Sequence, residues 1–394
     1  MFIRCKRCLY WSNHPLGITF NSDGICSGCI VHDEKFTINW TEKEEEFRNL
    51  IAPYLNKSKY DCIVPVTGGQ DSFYIVHLVT KVLGLRPLLV NFNRNFNSKE
   101  GIKNLANLRN SFDADFRQFT MNPKIVRNVV STTLTNMGTV NWLWIAGQSS
   151  YPVRLSIEME IPLIIWGAHQ GLEQVGMYSH FDQVEMTSRY RKEHDLMGIS
   201  EKEIFQFNPN FMPSDLTSIT YPTDIDLIKN GTRGVYLGNY FLWDTVKQNK
   251  EMISKYGYLG RLEKRAFYQF DNPDCPVYFG LQDLLKFTKY GYSKATDQLT
   301  REIRFNRMSR NKALKIEKRL QSKTVNDFDK FAEWLGSNEE AIKANFLLHS
   351  KDFASEILNQ RWREKDNKSR ILDKFNVRKK FLDKDFENLG KGLN

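Results

Sequence analysis

The sequence predicts an α/β fold: a parallel sheet with helices on both faces, a small four-cysteine metal module ahead of it and a helical region behind it. Three observations carry this. From residue 60 short apolar runs alternate with helical segments, the pattern of parallel strands joined by crossover helices. Cys5, Cys8, Cys26 and Cys29 form two Cys-x-x-Cys pairs. Beyond about residue 299 the chain reads as helix, punctuated by Gly336 and a capping box of Ser337 and Glu340.

Residues 1–40 read as the metal module. "TEKEEEFRNLIAPYL" (41–55) is a charged amphipathic helix leading into the sheet. "CIVPV" is a strand with a helix over 72–83; "PLLVNF" is a strand with a helix over 99–111. "ADFRQFT" is a third strand, followed by helical stretches through 158, and "IPLIIWG" (161–167) is a short apolar run closed by Gly167. Residues 168–285, rich in Gly and aromatics, mix short helices with long functional loops. The polar end, 363–394, is expected to be partly disordered. The expected division is 1–40, 41–298 and 299–394.

At 394 residues, 41% hydrophobic and 13% aromatic, the chain can bury a sizeable core, which excludes disorder of the whole chain. No apolar run approaches the ~20 residues of a membrane span. The opening "MFIRCKRCLYW" lacks the apolar stretch of a secretory signal, so a cytoplasmic protein is expected. That setting argues against a disulfide framework for the six cysteines. Cys62 lies in a strand as a buried thiol, and Cys275 has no neighbour in sequence. The net charge of +10 resides in residues 286–394, where 26 Lys and Arg face 16 Asp and Glu. Such a balance fits nucleic acid, a membrane surface or an anionic metabolite as partner, and equally a solvated basic helical tail.

Seventeen residues separate Cys8 from Cys26, the spacing of a four-thiolate zinc site built from two knuckles. With four protein ligands no position is left for water, so the metal is expected to be structural Zn²⁺. An iron–sulfur cluster and redox cysteines are the alternatives. His14 and His32 lie nearby but are not needed as ligands.

"VPVTGGQDSFYIVHLV" (64–79) is a strand that turns on two glycines and enters a helix. Adjacent glycines let backbone amides approach a ligand, and a helix N-terminus makes that ligand an anion. "TGGQDS" has no Gly-Lys-Ser/Thr ending and lacks the three glycines of a dinucleotide fingerprint, which excludes both of those loops. An anion nest of amides with the Thr67 and Ser72 hydroxyls remains, beside an ordinary tight turn.

"TGGQDS" resembles the SGGxDS pyrophosphate loop of the N-type ATP pyrophosphatases (adenine nucleotide alpha-hydrolase-like), with Thr67 in the place of the first serine. Gln70 stands where many relatives carry Lys. Together with "HPLGITFNSDGICSGC", "FNSKEGIKNL", "GTRGVYLGNYFLWD" and "KYGYSKATDQLTREIRFNRMSR", the chain is similar to the N-acetyl sugar amidotransferase family from about residue 1 to 350. The basic residues after about 360 lie outside this resemblance. Such enzymes belong to bacterial surface-polysaccharide and nonulosonic-acid pathways.

The resemblance implies conversion of an acetamido group on an N-acetylated, acidic sugar to an acetamidino group. ATP adenylylates the amide oxygen, and ammonia displaces AMP. It implies ATP and Mg²⁺, and ammonia from a separate class I glutamine amidotransferase subunit, because neither Cys62 nor Cys275 sits in a glutaminase context. Nucleic acid is not expected. Residues 41–298 would be the ATP pyrophosphatase domain.

Thr67, Gly68, Gly69 and Ser72 would bind pyrophosphate, with Asp71 orienting the loop or holding Mg²⁺. Asn91 and Asn93, at the end of "PLLVNFN", and the Trp166-Gly167 turn would flank the nucleotide. "GYSKATD" offers Lys294 and Asp297 as catalytic residues and Thr296 as a substrate contact; relatives usually carry Arg at the position of Lys294. Arg301, Arg304, Arg307 and Arg310 recur every third residue, a ridge along one helix, with Arg301 assigned to catalysis and Arg304 to substrate. "GAHQGLEQ" departs from the Gly-Glu-Asn common in relatives, leaving His169 and Glu173 as substrate contacts. His77 reads as core or helix edge.

Two rivals remain. A tRNA thiolase also joins zinc knuckles to such a loop but needs cysteines beyond the quartet. A non-catalytic nucleotide-binding scaffold would lack turnover.

Overall fold

The computed structural model describes residues 2–271, 274–275, 277–325 and 328–349. The expected disorder of 363–394 lies outside the described residues.

Five parallel strands form one sheet in the order β3-β2-β1-β4-β5: β1 (Cys62–Pro65), β2 (Pro87–Phe92), β3 (Asp115–Phe119), β4 (Leu163–Trp166) and β5 (Arg233–Tyr236). The alternation of the apolar runs sorts their side chains onto two faces. Cys62, Val64, Leu89, Leu163 and Ile165 pack on one side, against Phe47, Phe73, Val76 and Met252. Ile63, Leu88, Val90 and Ile164 pack on the other, against Val153 and Leu155. Burial on both faces explains why these strands read as continuous apolar runs. β3, at the edge, is more open to solvent.

Ahead of the sheet lie α1 (Ser27–Glu34), inside the cysteine module, and α2 (Trp40–Ile51), capped by Asn39. The crossovers carry α3 (Gln70–His77), α4 (Lys99–Ser111), α5 (Pro123–Met137) and α6 (Trp142–Glu158). α3 continues as a wider turn through Val82, so the helix expected over 72–83 is essentially present. Short helical turns link β4 to β5, and α7 (Thr245–Tyr256) packs beside α3.

The carboxyl-terminal part holds α8 (Asp283–Tyr290), α9 (Lys294–Arg304), α10 (Arg310–Gln321), α11 (Phe328–Leu335) and α12 (Glu339–Leu348). α9 begins at Lys294, so a boundary at 298/299 falls inside a helix. α9 also ends at Arg304, and Asn306 adopts a left-handed φ of 55° before α10 starts. The expected four-arginine ridge is therefore broken: Arg301 and Arg304 share α9, whereas Arg307 and Arg310 do not. The cap of α12 is corrected as well. Asn338, not Ser337, accepts the Ala341 N–H at 2.8 Å, because Gly336 (φ 71°) ends α11 in a turn that still takes the Ser337 N–H, bonded to Ala332 O at 2.9 Å.

Candidate functional site

Strand order reverses between β1 and β4, since β2 and β3 lie on one side of β1 and β4 and β5 on the other. Ligands of open parallel sheets bind in the crevice at such a switch point, beyond the carboxyl ends of the strands. "TGGQDS" occupies that place, between β1 and α3.

Gly68 has φ 77°, a conformation that strains any side chain, and a Cβ there would press on the Leu105 backbone of α4. Gly69 caps α3. Two hydroxyls hold the loop ready-made: Ser72 Oγ accepts the Thr67 N–H at 2.9 Å, and Thr67 Oγ1 accepts the Gly69 N–H at 3.1 Å. Beside it a cleft of about 220 Å³ opens over β1, β2 and β3, lined by Thr67, Asn91, Asn93, Leu105, Arg109 and Gln148 among others. Asn91 gives its amide to Val66 O at 2.7 Å, and Asn93 bonds Thr120 Oγ1 at 3.2 Å.

Asp71 opens α3 toward a charged cluster. Burial pushes its carboxyl up to about 6, Asp271 adds to the rise, and Arg301 and Lys294 pull against it. Asp271 is the hub. It accepts Gln298 Nε2 at 2.8 Å and Arg301 Nη2 at 3.1 Å, and lies 3.5 Å from Lys294 Nζ. Burial alone would raise its pKa, but Lys294, Arg301 and hydrogen bonds from Gln298 and Gln70 hold it below the usual carboxylate range. Gln70 thus has a partner: it faces a carboxylate that already has two cations. The structure brings the glycine loop together with Lys294 and Arg301, more than two hundred residues away in sequence. Asp271 is not legible in "FDNPDC", because no spacing ties that segment to the loop.

Other expected site residues are engaged differently. Asp297 accepts Tyr10 Oη at 2.9 Å and Lys286 Nζ at 2.7 Å, a buried strut between the cysteine module and α9 rather than a group facing the loop. Thr296 is fully buried, accepts the Ser293 N–H at 3.0 Å and donates to Glu317 at 2.6 Å at the start of α9. Arg304 is buried as well and donates to Glu173 O and Gln174 O at 3.0 and 2.9 Å. Glu173 pairs through Oε2 with the buried Lys35 at 2.7 Å, while its Oε1 has no hydrogen-bond partner among the described residues. His169 is 1% exposed, accepts the Gly171 N–H at 3.1 Å and packs among Tyr178, Tyr190 and Tyr236. The Trp166 indole lies against Arg191, and Gly167 accommodates Ile75 and Trp243. His77 sits at the helix edge, 2.7 Å from the Tyr256 hydroxyl.

Cys5, Cys8, Cys26 and Cys29 are buried, form no disulfide, and bring their sulfurs within 4.8 Å of one another. Four converging thiol sulfurs fit a tetrahedral ion. Amides of Arg7, Cys8 and Cys26 approach Cys5 Sγ at 3.3–3.4 Å, and Arg304 Nη2 lies 3.7 Å from Cys26 Sγ, so thiolates holding an ion would meet donors and a cation. Arg310 donates to Cys8 O and Cys5 O at 3.1 and 3.0 Å. His14 and His32 are not among the converging ligands: His14 stacks on Tyr292 and His32 meets Phe305 edge-on.

Residues 263–381 match the family described as LPS biosynthesis protein WbpG-like, C-terminal domain. The match supports the resemblance drawn from the sequence and extends past the point near 360 where that resemblance ends. An uncharacterized protein of Methanocaldococcus jannaschii, MJ1599, is 25% identical over 114 residues, covering 29% of this chain and 41% of that protein. The chain thus spans about two-fifths of the length of the curated relative it matches. Two solved structures are similar at low scores. NMN synthetase from Francisella tularensis has a TM-score of 0.29 at 12% identity, over 56% of this chain and 96% of that one. The U34-tRNA thiolase NcsA from Methanococcus maripaludis, with its [4Fe-4S] cluster, has 0.30 at 10% identity, over 83% and 91%.

Proposed function

We propose that the chain is an ATP-dependent amidotransferase that converts an acetamido group of an N-acetylated, acidic sugar to an acetamidino group. The observation that carries this reading is the glycine loop at the switch point, with Lys294 and Arg301 gathered on Asp271 opposite Asp71. The match of 263–381 to a lipopolysaccharide-biosynthesis domain supports a sugar as acceptor.

An amide carbonyl is a poor electrophile, so its oxygen must first become a leaving group. The acetamido oxygen attacks the α-phosphorus of ATP and pyrophosphate departs into the loop amides and the Thr67 and Ser72 hydroxyls. Arg301 and Lys294 stabilise the charge that moves onto the phosphates. Ammonia then adds to the imidate carbon and AMP leaves with the oxygen, giving the amidine. Asp71 offers a hard carboxylate oxygen suited to Mg²⁺, which when bound would neutralise phosphate charge. Ammonia would come from a separate glutaminase, and the four cysteines would hold structural Zn²⁺.

A thiolase is disfavoured by the two remaining cysteines. Cys62 lies fully buried within β1, its thiol pushed up by burial, and Cys275 is fully buried too. The deciding experiment supplies ATP, ammonium and diacetamido sugar acids and follows the products by mass spectrometry. The expected result is exchange of one oxygen for NH with release of AMP; release of ADP would overturn the mechanism.

A further inference from the structure

Where β4 and β5 end, a buried arginine lies against Trp166 and Tyr236. Arg191 is 4% exposed. Asp195 takes its Nη1 at 2.5 Å, and its Cζ lies 4.0 Å from the Trp166 ring centroid. Its Nε and Nη2 have no hydrogen-bond partner among the described residues.

Nε and Nη2 are the two donors along one edge of a guanidinium, the edge that meets both oxygens of a carboxylate as a fork. Two other arginines fill the same edge with a carboxylate, whereas the buried Arg265 and Arg304 each leave one of its two donors without a hydrogen-bond partner among the described residues. Arg233 gives Nε and Nη2 to Glu185 at 3.0 and 2.6 Å, and Arg86 gives them to Asp61 at 3.2 and 2.9 Å. Those two side chains are 36% and 50% exposed, so water can serve them when the fork opens. Arg191 is buried, where unpaired donors are most costly.

Its surroundings share the deficit. The Tyr221 and Tyr236 hydroxyls and the Trp166 Nε1 also have no hydrogen-bond partner among the described residues. The Tyr236 ring centroid lies 5.9 Å from Arg191 Cζ. Trp166 closes β4 and Tyr236 closes β5, and β4 pairs with β1, whose end carries the glycine loop. The cluster and the loop therefore lie at the same, carboxyl end of the sheet. A cationic fork held against Trp166, beside unspent hydroxyl and indole groups, matches a sugar acid, whose carboxylate takes the fork while its hydroxyls take the other polar groups.

We propose that Arg191 is a specificity-determining residue that holds the carboxylate of the acceptor through Nε and Nη2, with Trp166, Tyr221 and Tyr236 lining the sugar. This rests on the amidotransferase reading for calling the ligand an acceptor; carboxylate recognition at Arg191 does not.

The test is saturation-transfer NMR on the full chain without ATP, using N-acetylneuraminate, N-acetylglucosamine and N-acetylglucosamine 1-phosphate as probes. The acid is expected to bind about tenfold more tightly than the uncharged sugar, and Arg191→Lys and Arg191→Gln to abolish that preference, because lysine keeps the charge without the fork. Thermal melting identifies any variant that has not folded. Tyr236→Phe keeps the ring packing and is expected to weaken the acid about threefold or more through the lost hydroxyl. Equal binding of acid and neutral sugar, preference for the phosphate, an Arg191→Lys variant like wild type, or unchanged affinity in Tyr236→Phe would each overturn the proposal. Acid binding through Arg191 with no amidine product would sink the amidotransferase reading alone. Amidine formation with equal efficiency in wild type and Arg191→Gln would sink the Arg191 assignment alone.

Discussion

Arg304 lies with Nη2 3.7 Å from Cys26 Sγ while its guanidinium donates to the carbonyls of Glu173 and Gln174. One side chain of α9 thereby joins the cysteine module to the segment that follows β4. The module is fastened from α9 and α10, more than 250 residues further along the chain, and Arg310 and the Tyr10–Asp297 bond add to the fastening.

Arg304→Lys should lower stability by about 2–4 kcal/mol, because it leaves buried carbonyls without their donors and weakens the charge beside the sulfurs. Thermal unfolding reads the loss. A chelator-competition assay should show faster release of zinc than from wild type.

Gly28→Ala should destabilise by about 1–3 kcal/mol. A Cβ at Gly28 would collide with Gln174 O and the Arg304 guanidinium, and the first of these is backbone. The expected signature is a lower melting temperature with the zinc content of the folded protein unchanged.

Zinc should be present at one ion per chain by elemental analysis. Cys29→Ser should lower that content and destabilise the whole protein, because a closed four-sulfur site stabilises structure rather than activating water.

Asp71, pushed up to about 6 by burial and Asp271, sets an acid limb. If its carboxylate serves the reaction, turnover should fall as pH drops through about 6, with Asp71→Asn abolishing activity. The sign for stability is opposite. A carboxyl raised above its unfolded value stabilises the fold fully only below that unfolded value, and the contribution is lost as pH rises through the folded one. Asp71→Asn should therefore melt higher than wild type at pH 8 and match it at pH 4.

Arg301→Gln should reduce kcat/KM for ATP-dependent AMP release by about 100-fold, as expected for loss of one preorganised charge at the phosphates. Lys294→Arg should remain within about tenfold of wild type, since the positive charge facing Asp271 is kept.

The sequence by itself determined much of this protein. Strand alternation, two glycines before a helix and cysteine spacing are local signals, set by backbone geometry and side-chain period over a few residues. They gave the parallel sheet, the position of the loop and the sulfur set. Tertiary structure decided which charges meet. Asp271 and Arg191 carry no local pattern, and Lys294 and Arg301 are tied to the loop through Asp271, which Gln70 also bonds. Arg301 and Arg304 lie one turn apart in sequence, yet one faces Asp271 and the other the cysteine sulfurs. A helix turns about 100° per residue, so neighbours three apart diverge by some 60°, and the packing on either side decides what each one touches.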